Sequence, residues 1–300
     1  MYSKVKKFIF DKKFRFDILC SKNILFWKSD EEIIKKKFYY AFGEMLDLTN
    51  PTTYQEKLQW LKLNDKKEIY TCMADKYEAK AFVREKVGAD YVIPTLGVWE
   101  DFDKIDFENL PNKFVLKCTH DSGGIVICKD KNKFDYKLAR KKIRKSLKRN
   151  YYYVGREWPY KNIKPRIIAE PYLEDEDDAE LRDYKFFTFS GVPKVMYITQ
   201  GRLGNGETKA DFFDMEFNHI ELRMDHENSN TTLCKPMCFE KMQELAKLLS
   251  EDTPQLRVDF YQVNGKVYVG ELTFFHCSGF APVSPASWEE KMSEWLILDK

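Results

Sequence analysis

The chain has 300 residues, 43% hydrophobic and 15% aromatic, enough to bury one large core or two lobes and too apolar for wholesale disorder. Fifty Lys and Arg stand against 48 Asp and Glu, a net charge of +2. That balance argues against nucleic acid as the main partner, which needs a concentrated basic surface, and any anion site must be local. No run approaches the roughly 20 apolar residues that span a bilayer.

Residues 1–50 are rich in lysine and aromatics and read as a helical arm with a basic face. It is expected to pack on the body; peripheral association with a membrane surface is the alternative. The apolar stretch within Met1–Phe10 is too short for an export signal. The seven cysteines (Cys20, Cys72, Cys118, Cys128, Cys234, Cys238, Cys277) are scattered, so reduced thiols and a cytoplasmic location are expected. Cys234 and Cys238 lack a second pair at matching spacing, which argues against structural zinc.

Thr53 with Glu56 fits a capping box that opens a helix through Lys57–Leu61. A second helix is predicted over Asp75–Lys86, ending near Gly88, and then a short strand or edge at Tyr91–Pro94. Phe114–Cys118 and Ile125–Lys129 are apolar runs separated by His120-Asp121-Ser122-Gly123-Gly124, a strand–glycine loop–strand pattern. Residues 135–149 form a strongly basic helix with Leu138, Ile143 and Leu147 as a sparse apolar stripe. Arg166–Tyr172 is an apolar strand, and Glu174–Glu180 an acidic loop. Lys185–Ser190 and Lys194–Thr199 make a hairpin around Gly191-Val192-Pro193. Phe239–Leu249 is an amphipathic helix, and Arg257–Val263 with Lys266–Phe275 a second hairpin around Asn264-Gly265. This order predicts an α+β fold with mainly antiparallel sheets, not a Rossmann alternation.

Two places could carry chemistry. Backbone N–H groups of Ser122, Gly123 and Gly124 can fold over phosphates, and Lys117, at the end of an apolar strand, can supply a point charge beside them. Many hairpins carry Gly-Gly for turn geometry alone, and a strand-end lysine can simply snorkel. In the last hairpin, Asp259 and Glu271 are hard oxygen ligands that suit a magnesium ion bridging nucleotide phosphates. A two-residue Asn-Gly turn would set Asp259 across from Gly270 and send Glu271 to the other face. A three-residue turn with a bulge at Gly265 would put Arg257, Asp259 and Glu271 on one face, so the metal reading predicts the bulged turn. Separate structural salt bridges are the alternative. Glu170 and Asp183 are further strand-end acids of either kind.

Together these segments resemble the ATP-grasp superfamily. Asp75-Lys76-Tyr77-Glu78-Ala79-Lys80 resembles the segment opening its central lobe, and Phe114–Lys117 with Ser122–Gly124 its phosphate-lysine strand and glycine loop. Ala169–Leu173 is similar to its adenine hinge, and Arg257-Val258-Asp259 and Glu271-Leu272-Thr273 to its metal-binding strands. Pro51–Trp60, His120–Gly124, Trp158-Pro159-Tyr160, Asp183–Phe187 and Gly270–Phe274 are similar to the teichuronopeptide-biosynthesis (TupA-like) type, found among bacterial surface-polysaccharide enzymes and often labelled glycosyltransferases. The likeness runs from about residue 30 to the end; residues 1–30 lie outside it.

The resemblance implies an ATP-grasp fold: two lobes clamping ATP, plus the helical arm. Its divisions would be 1–50 for the arm, 51–110 for a linking region, 111–170 for the central lobe and 171–300 for the C-terminal lobe. It implies ATP and Mg2+ as cofactors. Lys80 and Lys117 would contact phosphates, with Ser122, Gly123 and Gly124 closing over them as a lid. Glu170 would meet adenine beside the hinge backbone of Tyr172 and Leu173, and Asp183 or Lys185 would lie near ribose or phosphates. Asp259, Glu271 and Thr273 would hold magnesium, Thr273 standing where asparagine is usual, and Arg257 would stabilise the transferring phosphoryl group.

The implied activity is that of an ADP-forming carboxylate–amine ligase working through an acyl phosphate in polysaccharide or capsule biosynthesis. Its partners would be a free or nucleotide-linked sugar acid and an amine donor. An ordinary surface ion pair is expected of each of Arg156, Arg166, Arg182 and Arg202, with anchoring of that acid as the alternative. Three other readings compete: a glycosyltransferase, for which Asp175-Glu176-Asp177 is a formal metal motif; a sugar kinase; and a non-catalytic assembly partner.

Overall fold

The computed structural model describes residues 2–175, 181–201, 208–229 and 231–299. Glu176, Asp177 and Arg202, named above, lie outside the described residues, as does most of the acidic loop.

The N-terminal arm is three helices, α1 (Tyr2–Phe10), α2 (Lys12–Ser21) and α3 (Asp30–Phe42). Asp11 caps α2 by accepting from the Phe14 N–H, and Ser29 forms a reciprocal capping box with Glu32 at the start of α3. Cys20 of α2 and Ile33, Ile34 and Phe38 of α3 are buried, so these two helices pack on the body, while α1 packs on α2. The arm's Asp30 accepts a hydrogen bond from the Tyr152 hydroxyl and stands 3.6 Å from Arg156.

Helix α4 (Tyr54–Asn64) opens with the anticipated Thr53–Glu56 capping box. The helix predicted over Asp75–Lys86 does not form as one piece. It is divided into α5 (Ile69–Ala74) and α6 (Ala79–Val87). Asp75 ends α5, and its carboxylate accepts from the Tyr77 N–H, making the turn between them. Tyr91–Pro94 is no strand; Val92 makes a single bridge to Val269, and the strand lies further on, β1 (Gly97–Trp99).

The smaller sheet holds β1, β2 (Phe114–Cys118), β3 (Ile125–Cys128) and β4 (Ile167–Pro171) in the order β1-β4-β2-β3, every pair antiparallel. Between β3 and β4 come α7 (Tyr136–Leu147) and the short α8 (Tyr152–Gly155). Helix α7 packs Ala139 and Ile143 against Phe114, Leu116 and Ile167. Leu138 is 62% exposed, so the expected stripe is corrected to Ala139, Ile143 and Leu147, four residues apart. On its basic face, Arg144 and Arg140 pair with Asp103.

The larger sheet runs β11-β10-β5-β6-β7-β8. Its strands are β5 (Asp183–Phe189), β6 (Val192–Gln200), β7 (Lys209–Phe213), β8 (His219–Ile220), then, after β9 (Arg223–Met224) and α9 (Phe239–Ser250), β10 (Gln255–Val263) and β11 (Lys266–Thr273). The first hairpin turns at Ser190 and Gly191, both at positive φ, so Val192 and Pro193 belong to β6 and not to the turn. Strand β12 (Val283–Ser284) pairs with β9, and α10 (Ala286–Trp295) follows. Alternation sorts the two faces of the larger sheet. Phe186, Val258 and Phe260 join α9 residues Phe239, Met242 and Leu249 in the core, leaving the odd-numbered Lys185, Arg257 and Asp259 for the opposite face.

The last hairpin closes differently from the expected bulged turn. Val263 pairs with Lys266, so Asn264 and Gly265, at φ 48° and 73°, make a tight two-residue turn. The extra residue sits instead inside β11: Phe260 pairs with Val269 but Asp259 with Glu271, leaving Gly270 out of the ladder.

Candidate functional site

The cleft is built on the polar face of the larger sheet. Four adjacent strands set Tyr197, Lys185, Asp259 and Glu271 side by side in one row. The next row along carries Arg257 directly opposite Thr273. All six line a cleft of about 420 Å³, together with Lys76, Lys117, Ser122 and Asp183.

Ion pairs organise the row. Both oxygens of Asp259 are taken by Arg257, from Nε at 2.7 Å and Nη2 at 2.8 Å, and Lys185 Nζ adds a contact at 2.9 Å. Burial works against ionising Asp259, but the Arg257 and Lys185 cations outweigh it and hold the carboxyl below its usual range. Arg257 also donates to Thr273 Oγ1 at 3.0 Å and from Nη1 to His276 Nδ1 at 2.7 Å. Most of its donors therefore serve to position its neighbours. Lys185 is 3.2 Å from Asp183 as well. Glu271 receives Lys76 Nζ at 2.9 Å, which offsets its burial and keeps it ionised below the usual range.

On the smaller sheet, Glu170 of β4 joins the two candidate phosphate lysines. Lys80 Nζ lies 2.6 Å from one of its oxygens and Lys117 Nζ 2.6 Å from the other. Burial opposes ionisation of Glu170, and the two lysines overcome it. Lys80 also donates to Ile93 O and Thr95 Oγ1, and burial lowers its affinity for a proton. A small apolar recess lined by Met73, Val83, Val92 and Leu272 adjoins Lys80 and Glu170. Tyr172 and Leu173 follow β4, and Lys129 Nζ lies 5.4 Å above the Tyr172 ring.

The glycine loop spans the side of the cleft. Its base is pinned: Asp121 is buried, accepts from Ser146 Oγ of α7 at 2.5 Å, and offers its carbonyl to Lys76 at 3.1 Å. A Cβ on Gly124 would lie 2.2 Å from Ser146 Oγ, so only glycine lets the loop approach α7 this closely. Ser122 and Gly123 are exposed at the tip.

At the far end of the cleft stands Glu157, 2% exposed, with Ser278 Oγ donating to it at 2.5 Å. Burial pushes its carboxyl upward, with Lys62 nearby as a partial counterweight. Lys62 is buried too, and burial lowers it to about 7. Its three contacts are all acceptors, Gln59 Oε1, Gly155 O and Ser278 O, which match the three N–H bonds of an ammonium. They anchor a left-handed turn in which Cys277, Ser278 and Gly279 all have positive φ. Such strain persists only where the surroundings enforce it.

Among the described residues, no three His, Cys, Asp or Glu side chains gather as a preformed metal site. Asp259 and Glu271 facing one another still fit magnesium that arrives on a nucleotide, because that ion needs only one or two carboxylates plus phosphate oxygens and water. For Arg156 and Arg166 the structure shows the expected ion pairs and not acid anchors. Arg156 is buried against Asp30, and Arg166 pairs with Asp75 at 2.7 Å and Glu78 at 2.8 Å. Neither they nor Arg182 line the cleft, whose only described arginine is Arg257. Sequence reasoning missed Lys76, Glu157, Lys62 and His276 as site builders. Lys76 sits inside a segment already singled out, but nothing local distinguishes it from Lys80. Glu157 carried one usable signal, an acid between Arg156 and Trp158-Pro159-Tyr160.

Comparison with known proteins gives one match to a family model, described as TupA-like ATPgrasp, over residues 56–297. No curated protein matches the chain. Among solved structures, the D-alanine–D-alanine ligase of Bacillus anthracis is 16% identical over 67% of this chain and 57% of that one, with a TM-score of 0.41. The N5-carboxyaminoimidazole synthetase of Staphylococcus aureus complexed with ADP is 16% identical over 74% and 52%, with a TM-score of 0.40. The D-cycloserine synthetase DcsG is 18% identical over 75% and 69%, with a TM-score of 0.39. The chain thus spans less than three fifths of the length of the first two.

Proposed function

The chain belongs to the TupA-like ATP-grasp family, and from that membership we propose that it is an ADP-forming carboxylate–amine ligase dependent on ATP and magnesium. One observation carries the reading: Lys117 of the smaller sheet and the paired carboxylates Asp259 and Glu271 of the larger sheet line a common cleft. That arrangement suits phosphoryl transfer, where an enzyme chiefly positions groups and neutralises charge.

In this reading the nucleotide phosphates take over Lys80 and Lys117 from Glu170, and the adenine enters the recess beside Glu170 and the Tyr172–Leu173 hinge. Asp259 and Glu271 hold the magnesium, which neutralises phosphate charge. Thr273 adds a hydroxyl beside them, Asp183 and Lys185 flank the ribose or phosphates, and Arg257 keeps Asp259 in place and brings its positive charge near the transferring group. Ser122, Gly123 and Gly124 exclude water from above. The acceptor is a carboxylate, for which we favour a sugar acid of a bacterial surface polysaccharide, and an amine completes the amide. The end of the cleft walled by Glu157, Asp225 and Tyr160 is rich in carboxylates and hydroxyls, which suits the amine donor and the hydroxyls of the sugar.

The test begins with the thermal midpoint with and without Mg-ATP, for the native chain and for Glu271→Gln. A magnesium-dependent rise that the variant loses supports the nucleotide site. Uronic acids paired with amino acids or amino alcohols are then screened for ADP release. A protein that binds Mg-ATP yet releases ADP with no such pair is not this ligase.

A further inference from the structure

Eight of the sixteen exposed large hydrophobic side chains among the described residues fall between Val5 and Met45, under a sixth of the chain. Phe10 is 79% exposed, Phe26 75% and Trp27 64%. Scattered single apolar residues are ordinary on a surface, but this concentration marks something that covers it. The same segment is the basic part of the molecule. Residues 1–28 hold seven lysines and one arginine against two aspartates, a charge of +6, while the whole chain carries +2, so the other 272 residues sum to −4. Lys4, Lys7, Lys12, Lys13 and Lys22 are exposed among the apolar groups. Between α2 and α3 lies a groove lined by Phe16, Tyr39 and Met45, with Lys28, Lys35 and Lys36 at its rim.

We propose that the arm is a membrane-surface anchor, lying on an anionic bilayer with Phe10, Phe26 and Trp27 in the boundary between headgroups and acyl chains. Charge decides the occupant. A second copy meeting the patch symmetrically would bring another +6 against this one, whereas anionic headgroups complement it and lysines beside exposed aromatics match the interfacial pattern. No helix among the described residues is long and apolar enough to cross a membrane, so the contact is peripheral. The arm is also tied to the site. Its Asp30 grips Tyr152 and Arg156, and the flanking Tyr151 and Glu157 line the cleft. Docking would hold that end of the cleft close to the bilayer surface.

Co-sedimentation of the full chain with vesicles tests this, using phosphatidylcholine alone or mixed equally with phosphatidylglycerol. Partitioning should be at least about tenfold stronger on the mixed vesicles and should weaken as salt is raised. Phe10→Ser, Phe26→Ser and Trp27→Ser together, and separately Lys4→Glu, Lys12→Glu and Lys13→Glu together, should each reduce it about tenfold. Neither set touches the cleft, so the thermal midpoint and its response to Mg-ATP should stay as in the native chain. Failure to sediment with anionic vesicles, equal binding to neutral ones, or full binding by both variant sets overturns the proposal. A concentration-dependent dimer that the aromatic variant abolishes would give the patch to a second copy and overturn it as well.

Discussion

Asp259 and Glu271 stand directly opposite one another on β10 and β11 because Gly270 is left out of the ladder between Val269 and Glu271. The bulged residue lies under the Tyr261 ring, and a Cβ there would be 2.8 Å from Tyr261 Cε2 and 3.3 Å from Asp259 O. Gly270→Ala is therefore expected to cost about 1–3 kcal/mol, the usual range for overpacking. It should also reduce the stabilisation by Mg-ATP, since the ring and the Asp259 backbone must shift together. Urea unfolding with and without Mg-ATP measures both; a variant unchanged in each would show that the bulge tolerates a side chain.

Glu170 sits between Lys80 and Lys117, buried and bonded to both. Lys80→Met with Lys117→Met leaves that carboxylate without a cation, at an expected cost of about 3–5 kcal/mol. Adding Glu170→Gln should recover a large part of the loss, because the uncompensated charge is what destabilises. Urea midpoints of the double and triple variants decide the matter, and a triple variant no more stable than the double would mean the lysines act through packing alone.

His276 gives the fold a dependence on mildly acidic pH. Burial first, then the Arg257 and Lys185 cations, hold its proton affinity well below the ordinary value of 6.5. Its Nδ1 accepts from Arg257, which a protonated ring cannot do. Below pH 6.5 the unfolded chain takes up a proton that the folded chain refuses, so stability falls as pH falls, by about 1.4 kcal/mol per pH unit. Glu170, Asp259 and Glu271, all held below their usual range, add losses of the same sign at lower pH. In His276→Gln the amide oxygen can still accept from Arg257, and the decline in urea midpoint between neutral pH and about 5.5 should flatten. An unaltered slope would assign the dependence elsewhere.

Lys62 anchors the left-handed turn at Cys277–Gly279, through Ser278 O at 2.5 Å and Gly155 O at 2.9 Å. Lys62→Met strands Gly155 O in the interior and leaves Ser278 O only a 3.5 Å contact from Gln59 Nε2, and about 1–3 kcal/mol should be lost. Gly155→Ala approaches the same turn from the other side. Its Cβ would lie 2.4 Å from Ser278 Oγ and 2.8 Å from Glu157 Oε1, so that pair must part. Both variants should lower the thermal midpoint. If Lys62→Met melts with the native protein, the turn is held without the lysine, by Gln59 Nε2 donating to Gly279 O at 2.8 Å.

What the sequence alone determined was carried by local chemistry. The Thr53–Glu56 capping box and the β2–glycine loop–β3 unit were both legible, because each depends on neighbours a few residues apart. The tertiary structure alone decided the partners. Asp75 breaks a helix that its sequence favours because its carboxylate makes a turn and is held by Arg166, 91 residues away. The bulge moved from the turn at Gly265 to Gly270, where Tyr261 presses on the strand. Lys62, Gly155 and Ser278 share no segment, yet they build one turn. A buried charge is stable only where distant strands supply its counter-charge, and such pairings leave no periodic trace along the chain.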